Sequence, residues 1–132
     1  MLTYRQYGEK GNVMKILHTN IENLAESKKA IYMLTKAPGV NVKDFCMDES
    51  VEVNNFALYT ETKTGKDGSE SEQEVLAIIL SDGTKLATIS PTFIRSFMEI
   101  VELMDGDPFA IICRKSVSKG GREFVTCELD CT

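Results

Sequence analysis

The chain has 132 residues, about one domain, which is enough to bury roughly two-thirds of its unfolded surface around one core. Apolar residues (42%) and charged residues (27%) lie near globular averages, which excludes a disordered chain and a coiled-coil rod. The net charge of -5 argues against a protein that coats phosphate backbones indiscriminately. The longest uncharged apolar run, Val75 to Leu80, is too short to span a bilayer, and no secretory signal opens the sequence, so we expect a cytoplasmic protein.

Residues that could carry metal or catalytic chemistry are few. The four cysteines form no C-x-x-C pair and the single histidine is His18, whereas a structural zinc site needs four clustered thiolate or imidazole ligands. A catalytic triad would have to use His18, and the sequence has neither a nucleophile elbow nor a glycine-rich phosphate loop. We therefore expect no metal, no cofactor and no enzymatic activity.

The first residues differ from the rest of the chain in having no hydrophobic period. Residues 1–12 are predicted to form an extended N-terminal arm, and residues 13–132 a single domain. Tyrosines bury area at low entropic cost, so Tyr4 and Tyr7 are candidate anchors through which the arm contacts an adjacent subunit. The alternative is a frayed terminus.

A short strand and a helix are expected next. Val13 to His18 favours a strand, and Asn20 is a candidate N-cap for a helix from about Ile21 to Lys36. The Ala-Pro-Gly sequence at 37–39 ends this helix.

A long strand with an irregularity is predicted from Ser50 to about Glu61. Val53 and Phe56 have opposite parity, so we expect a bulge near Asn54 and Asn55 that bends the strand. The elements that follow are a polar loop (Thr62 to Glu72), two strands (Val75 to Leu80, Lys85 to Ile89), an amphipathic helix (Ser90 as N-cap, to Met104) and two strands (Phe109 to Lys115, Arg122 to Leu129).

The order of three strands, one helix and two strands indicates the fold class. An SH3-like barrel lacks the helix, and a ferredoxin-like fold needs a helix between the first two strands. We expect a mainly β protein: a five-stranded OB-fold barrel with a helix between strands 3 and 4, preceded by an N-terminal helix and the arm. Oligonucleotides bind this fold on the face of strands 2 and 3 and at two loops, which here are Thr62 to Glu72 and Ser116 to Gly121.

Three blocks of sequence resemble a known family. They are Leu80 to Thr84 (LSDGT), Thr88 to Phe97 (TISPTFIRSF) and Lys119 to Leu129 (KGGREFVTCEL). In order and spacing they resemble the small single-stranded DNA-binding proteins of phages and conjugative elements of Gram-positive bacteria. The resemblance covers roughly Ser50 to Leu129, with a weaker match upstream from Lys28 to Asp44. It implies an OB-like barrel that coats transient single strands during replication or transfer without reading sequence.

Binding of this kind needs outward-facing aromatic rings that stack on bases and cations that follow phosphates. Side chains alternate between the two faces of a strand, so if Val125, Cys127 and Leu129 fill the barrel, Phe124 points outward. In the first strand Tyr59 alternates with Leu58, so if Leu58 points inward, Tyr59 points outward. These two rings are the candidate stacking residues. The alternative for Phe124 is packing against the hairpin or the helix.

The candidate phosphate contacts belong to two hairpin loops and to the start of the third strand. Acidic residues surround Lys63, Lys66 and Lys85, whereas the window 114–122 contains no acidic residue. A solvated hairpin tip is the alternative interpretation of that window. The candidates are Arg114, Lys115, Lys119 and Arg122 in the fourth and fifth strands, and, less strongly, Lys63, Lys66 and Lys85.

The function that these features favour is non-enzymatic, sequence-tolerant binding of single-stranded DNA in phage, conjugative-plasmid or other mobile-element replication or transfer, with self-association through the arm. Replication or transfer proteins are further candidate partners. The alternative is an OB-type protein–protein interaction module that uses the acidic segment 62–74.

Overall fold

The computed structural model describes residues 2–5, 13–22, 27–45 and 48–131, without the side chains of 2–5, 13, 14 and 63. Over these residues the chain forms eight strands and three helices. The strands are β1 (Leu2–Arg5), β2 (Val13–Thr19), β3 (Val40–Asn41), β4 (Ser50–Thr64), β5 (Glu70–Leu80), β6 (Lys85–Thr88), β7 (Ala110–Val117) and β8 (Glu123–Leu129), and the helices are α1 (Lys28–Thr35), α2 (Val42–Phe45) and α3 (Pro91–Met104). In the described part of the chain no helix is long and apolar enough to span a membrane.

Strand β4 belongs to both halves of a curled sheet. Its first residues pair with β7, and from Val53 onward it pairs with β5. The register shifts between Val53 and Asn55, which confirms the predicted bulge. A bulge bends its strand and increases the local twist, so β4 can pass from one half of the sheet to the other. The sheet order β1-β2-β4-β5-β6-β3, with β7 and β8 joined through β4, gives a mainly β structure consistent with an OB-like barrel.

Asn20 contacts this bulge and does not cap a helix. Its Nδ2 donates to the Asn54 carbonyl at 2.9 Å, and its Oδ1 accepts from the Phe56 backbone N–H at 3.0 Å. A bulge leaves backbone groups without ladder partners, and a carboxamide supplies both a donor and an acceptor. The expectation that Asn20 is an N-cap is wrong: α1 begins at Lys28, with Ser27 in the cap position.

Helix α3 packs its apolar side into the main core. Phe93 and Phe97 are fully buried, and the Phe97 ring meets Phe56 of β4 edge-on at 5.3 Å between centroids. The predicted N-terminus is confirmed, since the Ser90 side chain accepts from the Phe93 backbone N–H and a proline follows it. Ser96 Oγ also accepts from the Cys127 N–H at 3.0 Å, which ties the helix to β8.

The opening between β6 and β8 is filled by a segment that the sequence analysis does not predict. Strand β3 pairs in parallel with β6, and the single turn of α2 lies against β6, β7 and β8. Val42 of α2 is completely buried in the main core. The segment formed by β3 and α2 thus connects β6 with β7 and β8, and β6 does not pair with β8 among the described strands.

A second apolar cluster lies on the opposite face of β4 and β5. Ala57 and Tyr59 of β4 pack with Val75 of β5, and Leu34 of α1 covers them together with Ile16 of β2. Helix α1 is therefore bound to the outer side of the sheet. The outer face of β4 and β5 is thus covered over these residues.

Two segments predicted to lack regular pairing contain strands. Most of the expected loop Thr62 to Glu72 is a β-hairpin, because β4 continues to Thr64 and β5 begins at Glu70 around a turn at 65–69. In the arm, β1 pairs antiparallel with β2 of the same chain, with Leu2 opposite Ile16. The described part of the arm, residues 2–5, is extended and forms the terminal strand of the sheet.

Candidate nucleic-acid interface

The β7–β8 hairpin places Phe124 on the outside of the protein. Val125 and Cys127 are buried, whereas the Phe124 side chain is 36% exposed, so the predicted parity of β8 is confirmed. Phe124 lies opposite Ser116, and Arg114 lies opposite Thr126 one pair further along the same face. An aromatic ring and a guanidinium group thus share one exposed surface.

Tyr59 lies in the interior. Its parity is opposite to that of Leu58, as predicted, but the tyrosine is only 4% exposed because β2 and α1 cover that face. Burial, reinforced by the nearby Glu61 carboxylate, raises the pKa of Tyr59 to about 12. The expectation of an outward, base-stacking Tyr59 is wrong, since alternation along a strand distinguishes two faces without telling whether the second face is covered.

Arg114 and Lys115 are neutralised by acidic residues distant in sequence. Arg114 pairs with Glu128 and Asp48, each at 3.2 Å, and the hydrogen bonds that the guanidinium donates to these two carboxylates hold its pKa above the usual value. Lys115 Nζ lies 3.4 Å from Glu123, which also pairs with Lys43. The acid-free window of the sequence is therefore not an acid-free surface.

These two cations also lie on opposite faces of the hairpin. Arg114 shares the outer face with Phe124, whereas Lys115 lies opposite the buried Val125. Through Glu123, Lys115 is linked to Lys43 of α2. Lys115 thus lies on the side of the hairpin that faces α2.

Lys119 and Arg122 occupy the turn of the hairpin. The Gly121 N–H donates to the Ser118 carbonyl at 2.9 Å and Gly121 has a φ of 82°, a conformation that glycine adopts without strain. Both cations are exposed, and neither forms an ion pair with any residue that the structure describes. The turn therefore contributes the accessible positive charge next to Phe124.

Lys85 has a structural position. It is 9% exposed, and its ammonium group donates to the Ala37 carbonyl in the connection between α1 and β3. Burial lowers the pKa of Lys85, with Glu61 opposing that effect. The expectation that Lys85 extends an exposed phosphate track is wrong, because its side chain passes close to Gly39 and ends on the Ala37 carbonyl.

The hairpin of β4 and β5 is predominantly acidic. Lys66 is exposed in its turn, and the side chain of Lys63 lies outside the described residues. Glu70, Glu72 and Glu74 share one face of β5, and Glu72 pairs with Lys15 at 3.9 Å. These carboxylates would repel phosphates that approach Lys66.

The side chains of the two candidate anchors, Tyr4 and Tyr7, lie outside the described residues. The backbone of Tyr4 forms part of β1, opposite Met14, and its side chain lies outside the described residues, as does the whole of Tyr7.

Comparison with known proteins identifies the family. The model of the family described as phage single-stranded DNA-binding protein matches residues 11–130. The chain belongs to this phage single-stranded DNA-binding protein family. No curated protein and no solved structure matches it. The resemblance of residues 50–129 is thus confirmed on the phage side and extends over nearly the whole chain.

A second exposed aromatic ring lies beside lysines and is not among the residues predicted from the sequence. Tyr32 of α1 is 60% exposed, more than Phe124, and Lys28 and Lys29 precede it by one helical turn. The signal is present in the sequence, because residues 27–43 contain four lysines and no acidic residue.

Proposed function

We propose that this protein binds single-stranded DNA without reading its sequence, as a non-enzymatic protein of phage or mobile-element replication or transfer. The observation that carries the proposal is the exposed Phe124 ring beside the unpaired cations of the hairpin turn, in a chain of the phage single-stranded DNA-binding family. We further infer that β4, β5, β6, α3, β7 and β8 form the five-stranded OB barrel of such proteins.

The chemistry of this surface fits binding that tolerates any sequence. Every base has a π-face, so stacking on Phe124 is available to all four bases and contributes about 1–3 kcal/mol per base. Lys119 and Arg122 contact phosphates, which carry no sequence information. Arg114 exchanges its carboxylate partners for a phosphate as the strand binds, so it contributes less than an unpaired cation.

Electrophoretic mobility shift with a labelled oligothymidine at two salt concentrations tests the proposal. We expect a shift at low salt that weakens at high salt, because phosphate contacts release counterions. A labelled oligonucleotide of mixed sequence should shift over the same protein range. No shift at low salt with protein in the tens of micromolar would contradict DNA binding.

Self-association along the strand is part of the proposal. One barrel covers only a short stretch of single strand, so coating a long one requires neighbouring protomers to touch. Strand β1 is the terminal strand of the sheet, and an edge strand presents unpaired backbone donors and acceptors. We assign the contact to the arm, with Tyr4 and Tyr7 as anchors.

A second function is favoured by a different surface. The acidic segment 62–74 forms an exposed hairpin with Glu70, Glu72 and Glu74 on one face, which suits a basic protein partner such as a replication or transfer protein. Replacing these three glutamates by glutamine distinguishes the functions. Unchanged or tighter DNA binding is expected for the DNA-binding function, since the change removes repulsion, whereas an interaction module would lose its partner.

A further inference from the structure

Helix α1 has one face committed to the protein and one exposed to solvent. Ile31 and Leu34 are buried at 8% and 1% exposure, and Leu34 packs with Tyr59 and Val75 on the outer side of β4 and β5. The opposite side of the helix bears Lys28, Lys29, Tyr32, Met33 and Lys36, all exposed.

The exposed aromatic ring of α1 lies between cations. Tyr32 follows Lys28 by four residues and precedes Lys36 by four, so one ammonium group lies a helical turn away on each side of the ring. At 1.5 Å per residue, the two lysines are about 12 Å apart along the helix. Lys28, Lys29, Tyr32 and Met33 together line a shallow open pocket of 390 Å³.

The cations of this surface differ from Arg114 and Lys115 in their partners. Among the described residues, Lys28, Lys29 and Lys36 form no ion pair. No described carboxylate therefore has to be displaced when a polyanion approaches these three lysines.

A solvated amphipathic helix explains exposed lysines, but it does not explain an aromatic ring with 60% of its surface in water. We propose that the exposed face of α1 is a second contact surface for single-stranded DNA, in which Tyr32 stacks on a base and Lys28 and Lys29 contact phosphates. The proposal rests on the proposed function. It assigns a binding role to a helix that the function itself does not require.

The position of α1 makes this surface relevant to a bound strand. The helix packs on β5, which is the first of the two strands, β5 and β6, whose outer face an OB barrel offers to oligonucleotides. A strand that follows that side of the barrel meets α1 in place of the covered Tyr59. The helix thus replaces the stacking ring that the sheet has buried.

The test uses the full chain, oligothymidine and two changes at one position. Tyr32→Ala should weaken binding about 5- to 140-fold, the range expected for the loss of one stacked base, whereas Tyr32→Phe should retain affinity because the ring remains. The protein has no tryptophan, so tyrosine dominates its intrinsic fluorescence. Oligothymidine should quench that fluorescence less in Tyr32→Phe than in the parent.

Matched controls separate this surface from general effects. Leu103→Ala removes a side chain that is 74% exposed on α3 and should leave affinity unchanged. Lys28→Gln should reduce the salt dependence of binding, whereas Arg95→Gln, on the exposed side of α3, should not.

The outcomes also separate this proposal from the function on which it rests. If the parent binds oligothymidine and Tyr32→Ala binds equally well, the α1 surface is wrong and DNA binding stands. If the parent itself does not bind, both fail. If Tyr32→Ala binds weakly and melts at the temperature of the parent, the α1 surface is supported.

Discussion

The ammonium group of Lys85 donates a hydrogen bond to the backbone carbonyl of Ala37, 48 residues earlier in the chain. The stem of Lys85 passes so close to Gly39 that a Cβ added there would lie 2.9 Å from Lys85 Cγ. This contact fixes the connection that leaves α1 and leads into the parallel strand β3. Lys85, which the sequence predicted to contact DNA, thus joins β6 to the connection between α1 and β3.

Replacing Lys85 by methionine should therefore affect stability and not DNA binding. The change keeps the buried stem but leaves the Ala37 carbonyl without its donor, which costs about 1–3 kcal/mol. Urea unfolding measures the loss, and Lys66→Met in the exposed turn of β4 and β5 serves as the control with no expected loss. A reduced salt dependence of oligothymidine binding in Lys85→Met would show instead that Lys85 contacts phosphate.

Phe124→Ala should weaken binding of single-stranded DNA by about 1–3 kcal/mol with little preference among bases. The melting temperature should fall less than for a core phenylalanine such as Phe97, because Phe124 is 36% exposed and Phe97 is fully buried. Val117→Ala is the matched control, since this side chain is 64% exposed near the same end of the hairpin but on its other face. A melting temperature lowered by several degrees, with unchanged affinity of the folded protein, would place Phe124 in the core.

Replacing the two cations of the hairpin turn should flatten the salt dependence of binding. Each phosphate contact contributes about 0.7 to the slope of log K against log salt for single strands, so Lys119→Ser with Arg122→Ser should reduce the slope by about 1.4. Arg114→Ser with Lys115→Ser should reduce it less, because both cations already have carboxylate partners. Equal slopes for the parent and the turn variant would identify the turn as a solvated tip.

Tyr59 should make the protein less stable at alkaline pH. Its pKa is about 12 in the folded protein because of burial and, to a lesser extent, Glu61, and near 10 in the unfolded chain. The folded state therefore holds the proton more tightly, and the resulting stabilisation is complete below pH ~10 and is lost as pH rises towards ~12. Tyr59→Phe should lose less stability than the parent over this range.

Urea unfolding at several alkaline pH values measures this effect. Tyr32→Phe is the control variant, because it removes a tyrosine hydroxyl from a residue that is 60% exposed and not buried. If Tyr59→Phe and the parent follow the same pH dependence, the Tyr59 phenol is not protected from ionisation.

Removing residues 1–12 should lower the cooperativity of binding to long single strands and the mass of any oligomer. Binding isotherms and light scattering measure the two effects. Because the deletion also removes the β1–β2 pairing, Tyr4→Ala with Tyr7→Ala tests the anchors while leaving that backbone pairing in place. Unchanged mass and cooperativity in both variants would leave the arm without a role in association.

The local sequence pattern by itself determined several features of the sheet and of α3. Opposite parity within Ser50 to Glu61 predicted the bulge, Ser90 followed by proline predicted the start of α3, and alternation in β8 predicted that Phe124 points outward. Each of these features depends on residues close together in the chain. The bulge and the direction of Phe124 follow from the alternation of side chains along a strand, and the start of α3 follows from a capping hydrogen bond.

Tertiary structure decided what covers each surface. Tyr59 is buried because α1 and β2 lie over its face, and Arg114 is neutralised by Asp48 and Glu128, which lie 66 and 14 residues away in the chain. Asn20 binds the bulge of β4 instead of capping a helix. Burial and charge compensation depend on which segments meet in space, and neither alternation along a strand nor the charge of a sequence window contains that information.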